Sequence, residues 1–127
     1  MNQKPRVVFD TSIWLACFRG EFPELEYIVE THDILTPDVC LLEITEACER
    51  APARKIKALL RIVSVLHEIA ETTTETAVAA AFQDRSRPLG TRLAVAHAAE
   101  QGIPVYFCSE GVLKKIEPEA AVVMTQL

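Results

Sequence analysis

The chain has 127 residues, close to the commonest length of one domain, so we expect a single domain over residues 1–127. Half of the residues are hydrophobic and 24% are charged, which excludes a disordered chain and is typical of a soluble globular protein. The net charge of −5 argues against a simple basic nucleic-acid module, and no apolar stretch approaches the roughly 18 residues of a membrane span. We therefore expect a cytoplasmic protein without a membrane span or signal peptide.

The first part of the chain alternates short apolar runs with helical patterns. Residues 6–9 form an apolar run without polar alternation, which predicts a buried strand that ends at Asp10. Thr11 and Ser12 are capping residues for the helix that follows, and Gly20 ends it. Further elements are predicted from Pro and Gly positions and apolar spacing: a helix over 23–31, a strand over 34–36 and a helix that starts at 37–38.

The second part continues the alternation. The patterns predict a helix from residue 52, a strand over 65–69, an alanine-rich helix over 77–82, a helix over 92–101, a strand over 103–108, a short helix over 110–116 and a last strand over 120–124. Thr91 is predicted to cap the helix over 92–101 and Gly102 to end it. Four or five strands separated by helices predict a parallel sheet covered on both faces, a three-layer α/β/α domain. The ligand site of such a sheet lies at the carboxyl ends of its strands, where Asp10 and Ser109 are expected.

Two groups of cations stand out in this acidic sequence. Five cations and no acid lie between residues 50 and 61, and a second group follows Asp84. One interpretation is two solvated helix faces, and the other is a pair of surfaces that hold a phosphate backbone beside an acidic centre. The RNA-binding candidates under the second interpretation are Arg54, Lys55, Lys57, Arg61, Arg85, Arg87 and Arg92. Composition does not choose between the two.

Three segments resemble motifs of the PIN-domain nucleases, in the order and spacing of that family. The opening motif, a strand ending in Asp followed by Thr and then Asn or Ser, is similar to VVFDTSIWLACF. The second motif, in which a Glu projects from a helix, is similar to LTPDVCLLEITEA, and the late helix, Gly-x-Pro turn and strand are similar to RLAVAHAAEQGIPVYFCSEGVL. The resemblance implies a PIN-like fold and a metal-dependent endoribonuclease in which carboxylates hold Mg²⁺ or Mn²⁺ for attack of water on a phosphodiester.

The same resemblance assigns roles to individual residues. Asp10 and Glu43 match the first two acids of the family and are the expected catalytic residues and metal ligands. The third and fourth acid positions fall on Thr91 and Ser109, so two of the four expected acids are absent, and Glu110 is the candidate replacement ligand. We therefore expect a weakly held Mg²⁺ or Mn²⁺, or none, reduced hydrolysis, and a cleft lined by the neutral groups Ser12, Thr91 and Ser109.

These candidates also have structural interpretations. Asp10 is placed to cap the helix after it, and Glu43 lies in an apolar helix, where an unpaired charge needs a metal ion or a basic partner such as Arg92. His97, among alanines, is more typical of helix packing than of a ligand. The four cysteines form no CxxC pair, which favours buried reduced thiols over a zinc site.

Two functions stay open. The first is a toxin-type PIN endoribonuclease of reduced activity, for which the resemblance implies RNA, a small antitoxin-like protein and a second copy in a homodimer as partners. The second is a catalytically inactive PIN-fold protein that binds RNA or a protein partner. A haloacid-dehalogenase-like phosphotransferase is disfavoured because Ser12 stands where its Asp-x-Asp motif needs the second acid. The four glycines form no phosphate-binding loop of the Rossmann or P-loop kind.

Overall fold

A computed structural model describes residues 4–49 and 68–126, together with Arg54, Lys57 and Arg61. Five strands form one sheet in the order β3-β2-β1-β4-β5, in which the first four strands are parallel and β5 runs antiparallel to β4. The elements are β1 (Arg6–Phe9), α1 (Thr11–Arg19), α2 (Pro23–Thr31), β2 (Asp33–Pro37), α3 (Asp38–Ala47), β3 (Glu68–Ala70), α4 (Thr74–Ala81), α5 (Leu89–Gln101), β4 (Val105–Ser109), β5 (Val112–Ile116) and α6 (Pro118–Met124).

Hydrophobic cores lie on both faces of this sheet. Val7 and Phe9 pack on one face with residues of α1, α2 and α3, whereas Val8 packs on the other face with residues of α5 and α6. Successive side chains of a strand point to opposite faces, so a strand with a core on each side reads as a continuous apolar run. The predicted three-layer α/β/α fold is therefore confirmed, with a mixed sheet of five strands.

Among the helices that the structure describes, α5 is the most deeply buried. Every residue from Leu93 to Ala98 is buried, and the helix packs against α4, α6 and the sheet. A helical stretch that is buried around its whole circumference needs such surroundings, and the small alanine side chains allow neighbouring elements to approach closely. This position brings the first turn of α5 to the carboxyl ends of the strands.

The prediction is wrong for the last two elements of the chain. Residues 110–116, predicted as a helix, supply the turn and the strand β5, and residues 120–124, predicted as a strand, lie within α6. Glu110 and Gly111 have φ angles of 53° and 75° and connect Ser109 directly to Val112, as in the two-residue turns that join antiparallel strands. Pro118 then fits the first turn of a helix, where its missing N–H costs nothing.

Some predicted elements lie wholly or partly outside the described residues. In the predicted helix from residue 52, the described residues are Arg54, Lys57 and Arg61, which are helical and exposed. Lys55 and the apolar positions of that helix lie outside the described residues. The predicted strand over 65–69 coincides with β3 where the structure describes it. None of the helices in the described part of the chain is long and apolar enough to cross a membrane.

Candidate active site

Asp10 lies at the carboxyl end of β1, fully buried, and caps α1. Its Oδ1 accepts hydrogen bonds from the Ile13 backbone N–H at 3.0 Å and from the Ser12 hydroxyl at 2.6 Å. Its Oδ2 accepts one from the Thr91 hydroxyl at 2.6 Å. The pKa of Asp10 lies above its ordinary value, chiefly because burial raises it. The three hydrogen bonds lower it in part, and the nearby Glu43 carboxylate raises it. Asp10 thus holds its helix in place and also faces the first turn of α5.

Thr91 reaches Asp10 because α5 begins earlier than predicted. The predicted capping role of Thr91 is wrong, since the helix starts at Leu89 with Pro88 before it, which places Thr91 inside the first turn. Its hydroxyl is therefore not used as an acceptor for the helix backbone and donates to the buried carboxylate instead. A neutral donor stands beside Asp10 at the position where the resemblance expected a third acid.

Ser12 joins two strand ends. Its hydroxyl donates to Asp10 and accepts a hydrogen bond from the backbone N–H of Cys108 at 2.8 Å. Cys108 is the last residue but one of β4, so this hydroxyl connects the carboxyl end of β1 with that of its neighbour in the sheet. The orientation of Asp10 is consequently fixed by residues of α1, β4 and α5 together.

Glu43 approaches the same turn from the other side. Its Oε1 accepts a hydrogen bond from the Thr11 hydroxyl at 2.7 Å, and a Cβ built on Gly90 would lie 1.9 Å from this oxygen. Only glycine at position 90 leaves room for the carboxylate against α5. The predicted basic partner is not used: Arg92 donates instead to the backbone carbonyls of Arg87 and Ala80, at 3.1 and 3.4 Å.

Thr11 and Gly90 are the residues of the site that sequence reasoning missed. The sequence predicts a capping role for Thr11 and leaves Gly90 before the predicted helix over 92–101, and nothing in a local pattern connects either of them with Glu43. A glycine immediately before Thr91, the position of a missing acid, is the only sequence signal that could have pointed to close contact there.

Two carboxylates therefore lie against the first turn of α5: Asp10 contacts Thr91, and Glu43 contacts Gly90. Within the ranges 4–49 and 68–126, no three His, Cys, Asp or Glu side chains are grouped so that they could hold a metal ion. The donor set of Asp10 and Glu43 nevertheless fits one hard cation, because Mg²⁺ is commonly bound through one or two carboxylates with water and substrate phosphate as its other ligands. Two ions about 3.5–4 Å apart would need more anionic charge than this pair supplies.

Ser109 and Glu110 lie in a neighbouring cleft of about 310 Å³, which we call the strand-end cleft. It is lined by Ser86, Arg87, Pro88, Thr91, Phe107, Cys108, Ser109 and Glu110. Glu110 is exposed on the turn after β4, and the lining contains neither Asp10 nor Glu43. The structure thus groups Glu110 with Thr91 and Ser109, and Thr91 is the residue that the cleft shares with the surroundings of Asp10.

The predicted RNA-binding cations occupy three different settings. Arg87 lines the strand-end cleft with its guanidinium 5.3 Å above the ring of Phe107. Arg85 is exposed and is not part of the cleft lining, whereas the guanidinium of Arg92 donates to backbone carbonyls. The exposed group of Arg54, Lys57 and Arg61 follows helical spacing, which places these three side chains on one face of their helix.

Comparison with known proteins gives a family match and several similar solved structures, among them the two that follow. The family model of the PIN domain matches residues 7–111. The structure of Mycobacterium tuberculosis VapC20, described as a Sarcin-Ricin loop cleaving toxin, has a TM-score of 0.64 at 17% sequence identity, covering 81% of this chain and 89% of that one. VapBC2 from Rickettsia felis, bound to a DNA fragment from their promoter, has a TM-score of 0.59 at 13% identity, covering 77% of this chain and 83% of that one. No curated protein sequence matches the chain.

Proposed function

Because the chain belongs to the PIN-domain family, we propose that it is a toxin-type, metal-dependent endoribonuclease whose activity is reduced by the loss of two acids. The observation that carries this proposal is the placement of Asp10 and Glu43 on either side of the first turn of α5, at Thr91 and Gly90. Carboxylates held at this edge of a sheet are suited to an Mg²⁺ or Mn²⁺ ion, which when bound would activate water and neutralise a phosphate.

The residues around the two acids have defined tasks in this proposal. Asp10 and Glu43 would hold the ion, and the hydroxyls of Ser12 and Thr91 fix the orientation of Asp10. Thr11 does the same for Glu43 through its hydrogen bond of 2.7 Å. Ser109 and Glu110 line the adjacent cleft, where the exposed Glu110 side chain would have to swing toward Asp10 to join the ion.

The toxin assignment rests on the similar structures and has consequences for partners. The likeness to a toxin described as cleaving the Sarcin-Ricin loop supports an RNA substrate, and the likeness to VapBC2 supports a small antitoxin-like protein as a partner. We also propose a homodimer and a cytoplasmic location, as the resemblance implies. The exposed cations Arg54, Lys57, Arg61 and Arg85, with Lys55, are the proposed contacts with the phosphate backbone.

A second candidate function is a catalytically inactive PIN-fold protein that binds RNA or a protein partner. Its support is that Thr91 and Ser109, at the third and fourth acid positions, carry no charge, and that the described residues offer no group of three acids. Both candidates place RNA at the carboxyl ends of the strands. They differ in whether Asp10 and Glu43 bind a metal ion that promotes hydrolysis of RNA.

Titration calorimetry with Mn²⁺ and cleavage of single-stranded RNA in Mn²⁺ separate the two functions. We expect the chain to bind Mn²⁺ weakly and Asp10→Asn to lower cleavage at least about a hundredfold, since even residues that only support a metal ligand contribute about ten- to a hundredfold. Thr91→Asp, which supplies the missing third acid, should bind Mn²⁺ more tightly and cleave faster. Glu46→Gln, on the exposed side of α3, is the matched control and should change neither.

The outcomes are distinct. If Asp10→Asn leaves Mn²⁺ binding and cleavage unchanged, the nuclease proposal is wrong. If the unaltered chain is folded, binds RNA and neither binds Mn²⁺ nor cleaves, the inactive binding protein is the correct function.

A further inference from the structure

Arg87 is the cation that projects into the strand-end cleft, and its side chain is held from two directions. The guanidinium lies 5.3 Å from the centre of the Phe107 ring, and Nη1 donates to the Met124 sulfur at 3.8 Å. A guanidinium has five N–H donors, so these contacts leave donors available for a ligand. An arginine that packing already orients loses little conformational entropy when it binds an anion.

The lining of the cleft also contains three hydroxyl side chains. The lining includes Ser86, Thr91 and Ser109, and among its eight residues Glu110 alone carries a negative charge, exposed on the turn. Carboxylates at positions 91 and 109 would repel a phosphate unless a cation lay between them. The Thr91 hydroxyl already donates to Asp10, so of these two positions Ser109 supplies the hydroxyl that can donate a hydrogen bond to a phosphate. Because positions 91 and 109 carry no carboxylate, a phosphate in the cleft needs no divalent ion to offset repulsion from these two positions.

Size and geometry indicate what portion of a ligand fits. A volume of about 310 Å³ is at the lower end of ligand pockets, enough for a phosphate and its sugar. Arg87 covers the face of Phe107, so this ring is not free to stack on a base. Contacts of arginine and hydroxyls with a phosphodiester carry no sequence information, so the cleft is suited to the backbone of the nucleic acid.

From these contacts we propose that the strand-end cleft binds one phosphate of single-stranded RNA through Arg87 without a divalent ion. This inference rests on the proposed function and identifies the binding mode and the anchoring residue. Asp84 lies close enough to interact with Arg87 electrostatically, but its carboxylate accepts the Ser86 backbone N–H at 3.0 Å and is exposed to solvent. The attraction between Asp84 and Arg87 is therefore screened by water.

The test is fluorescence anisotropy of a labelled oligouridylate of about ten nucleotides in EDTA, with chain variants compared at several salt concentrations. Arg87→Met keeps an apolar stem against Phe107 and Met124 and removes the charge. We expect it to weaken binding about tenfold, as loss of a charged hydrogen bond does. The slope of log affinity against log salt should fall by about 0.7, the value for one phosphate of a single strand. Arg87→Lys should give an intermediate affinity because it retains the charge without the planar group.

Two further variants provide a control and an independent test. Arg19→Met, at the opposite end of α1 from Asp10, is the matched control and should leave both affinity and salt slope unchanged. Ser109→Asp leaves Arg87 in place and adds a carboxylate to the cleft. In EDTA, this variant should bind RNA about tenfold more weakly, which corresponds to the free energy of one charged contact. Addition of Mg²⁺ should restore the binding. Ser109→Asp therefore tests the inference even if Arg87→Met fails to fold.

Each contrary result has a defined meaning. If the unaltered chain binds the oligouridylate and folded Arg87→Met binds it equally well with the same salt slope, Arg87 is not the anchor and the inference fails, while the proposed function stands. Binding that requires Mg²⁺ in the unaltered chain overturns the metal-free mode alone. If inorganic phosphate binds at Arg87 but the oligouridylate does not, the cleft takes the free ion and the inference fails. Absence of both RNA binding and RNA cleavage overturns the inference and the proposed function together.

Discussion

Gly90→Ala tests whether the Glu43 carboxylate rests on the first turn of α5 as the structure shows. A Cβ at position 90 would lie 1.9 Å from Glu43 Oε1, 3.0 Å from its Cδ and 3.1 Å from the Cys40 sulfur. Gly90 lies in a helix and has no left-handed φ, so alanine suits its backbone. The substitution therefore acts through this contact, by forcing the carboxylate away from the turn.

The magnitude follows from two opposed effects. Displacing Glu43 breaks its hydrogen bond with Thr11, and a hydrogen bond to a charged group contributes about 1.5–3 kcal/mol. Alanine is favoured over glycine in a helix by up to about 1 kcal/mol. We expect Gly90→Ala to lower the free energy of unfolding by about 1–2 kcal/mol. In a Glu43→Ala background the carboxylate is absent, only the Cys40 contact remains, and the same substitution should be neutral or stabilise the protein by up to about 1 kcal/mol.

The assay is urea denaturation of the four proteins of this double-mutant cycle. The expected coupling energy between positions 43 and 90 is about 2 kcal/mol, within the range seen for residues in contact. Thr45→Ala, an exposed position on the same helix, replaces Glu43→Ala in a control cycle and should show no coupling with position 90. A coupling below about 0.5 kcal/mol, which is typical of independent sites, would refute the proposed contact.

Two further predictions concern buried polar groups away from the site. The Trp14 Nε1–H donates to the Thr36 hydroxyl at 2.8 Å, and both residues are buried. Thr36→Val removes this acceptor and should lower the free energy of unfolding, measured in urea, by about 1–3 kcal/mol. Thr36→Ser is the control and should retain the bond. Burial holds the pKa of His97 below its ordinary 6.5, although Glu100 and Asp38 raise it in part. As the pH falls, the imidazole is therefore protonated in the unfolded chain before it is protonated in the folded one. The free energy of unfolding should consequently fall as the pH drops below about 6.5. Urea unfolding between about pH 7.5 and 5.5 should show this loss, by up to about 1.4 kcal/mol per pH unit, and His97→Gln should reduce the slope; equal slopes would contradict a neutral buried imidazole.

The parts of the fold that the sequence predicted are those with a local physical cause. The strand before Asp10 is buried on both faces, which leaves an uninterrupted apolar run. Gly20 adopts a left-handed conformation with φ of 68° at the end of α1, and Pro23 begins α2. Each of these signals lies within a few residues of the boundary that it sets, so a single sequence is enough to interpret it.

The errors near the C-terminus have the opposite origin. Residues 112–116 contain both apolar and cationic side chains and suit a helix or an edge strand equally well. Their conformation is decided by pairing with β4 and by the Glu110–Gly111 turn, in which a non-glycine residue adopts a positive φ. Glu is not among the residues that usually indicate this turn, so the local sequence favours the wrong element.

The site shows the same division. That Asp10 ends a buried strand is a local feature, but its bond with Thr91 joins residues 81 positions apart, and the Ser12 contact with Cys108 spans 96. Glu43 needed a partner because its helix is apolar, and the sequence suggested a cation. The structure supplies a hydroxyl, which satisfies the acceptor without the entropic cost of fixing a long charged side chain.

Replacing acids with hydroxyls changes stability and chemistry in opposite directions. A carboxylate at position 91 would face the buried Asp10 and repel it unless a cation separated them. The Thr91 hydroxyl instead donates to Asp10 at 2.6 Å and ties α5 to the end of β1. A neutral donor thus holds the Asp10 carboxylate, and the site has less anionic charge than two-metal hydrolysis requires. Under the proposed function, two carboxylates beside a cleft with one oriented arginine would support binding of a phosphate backbone and slow cleavage.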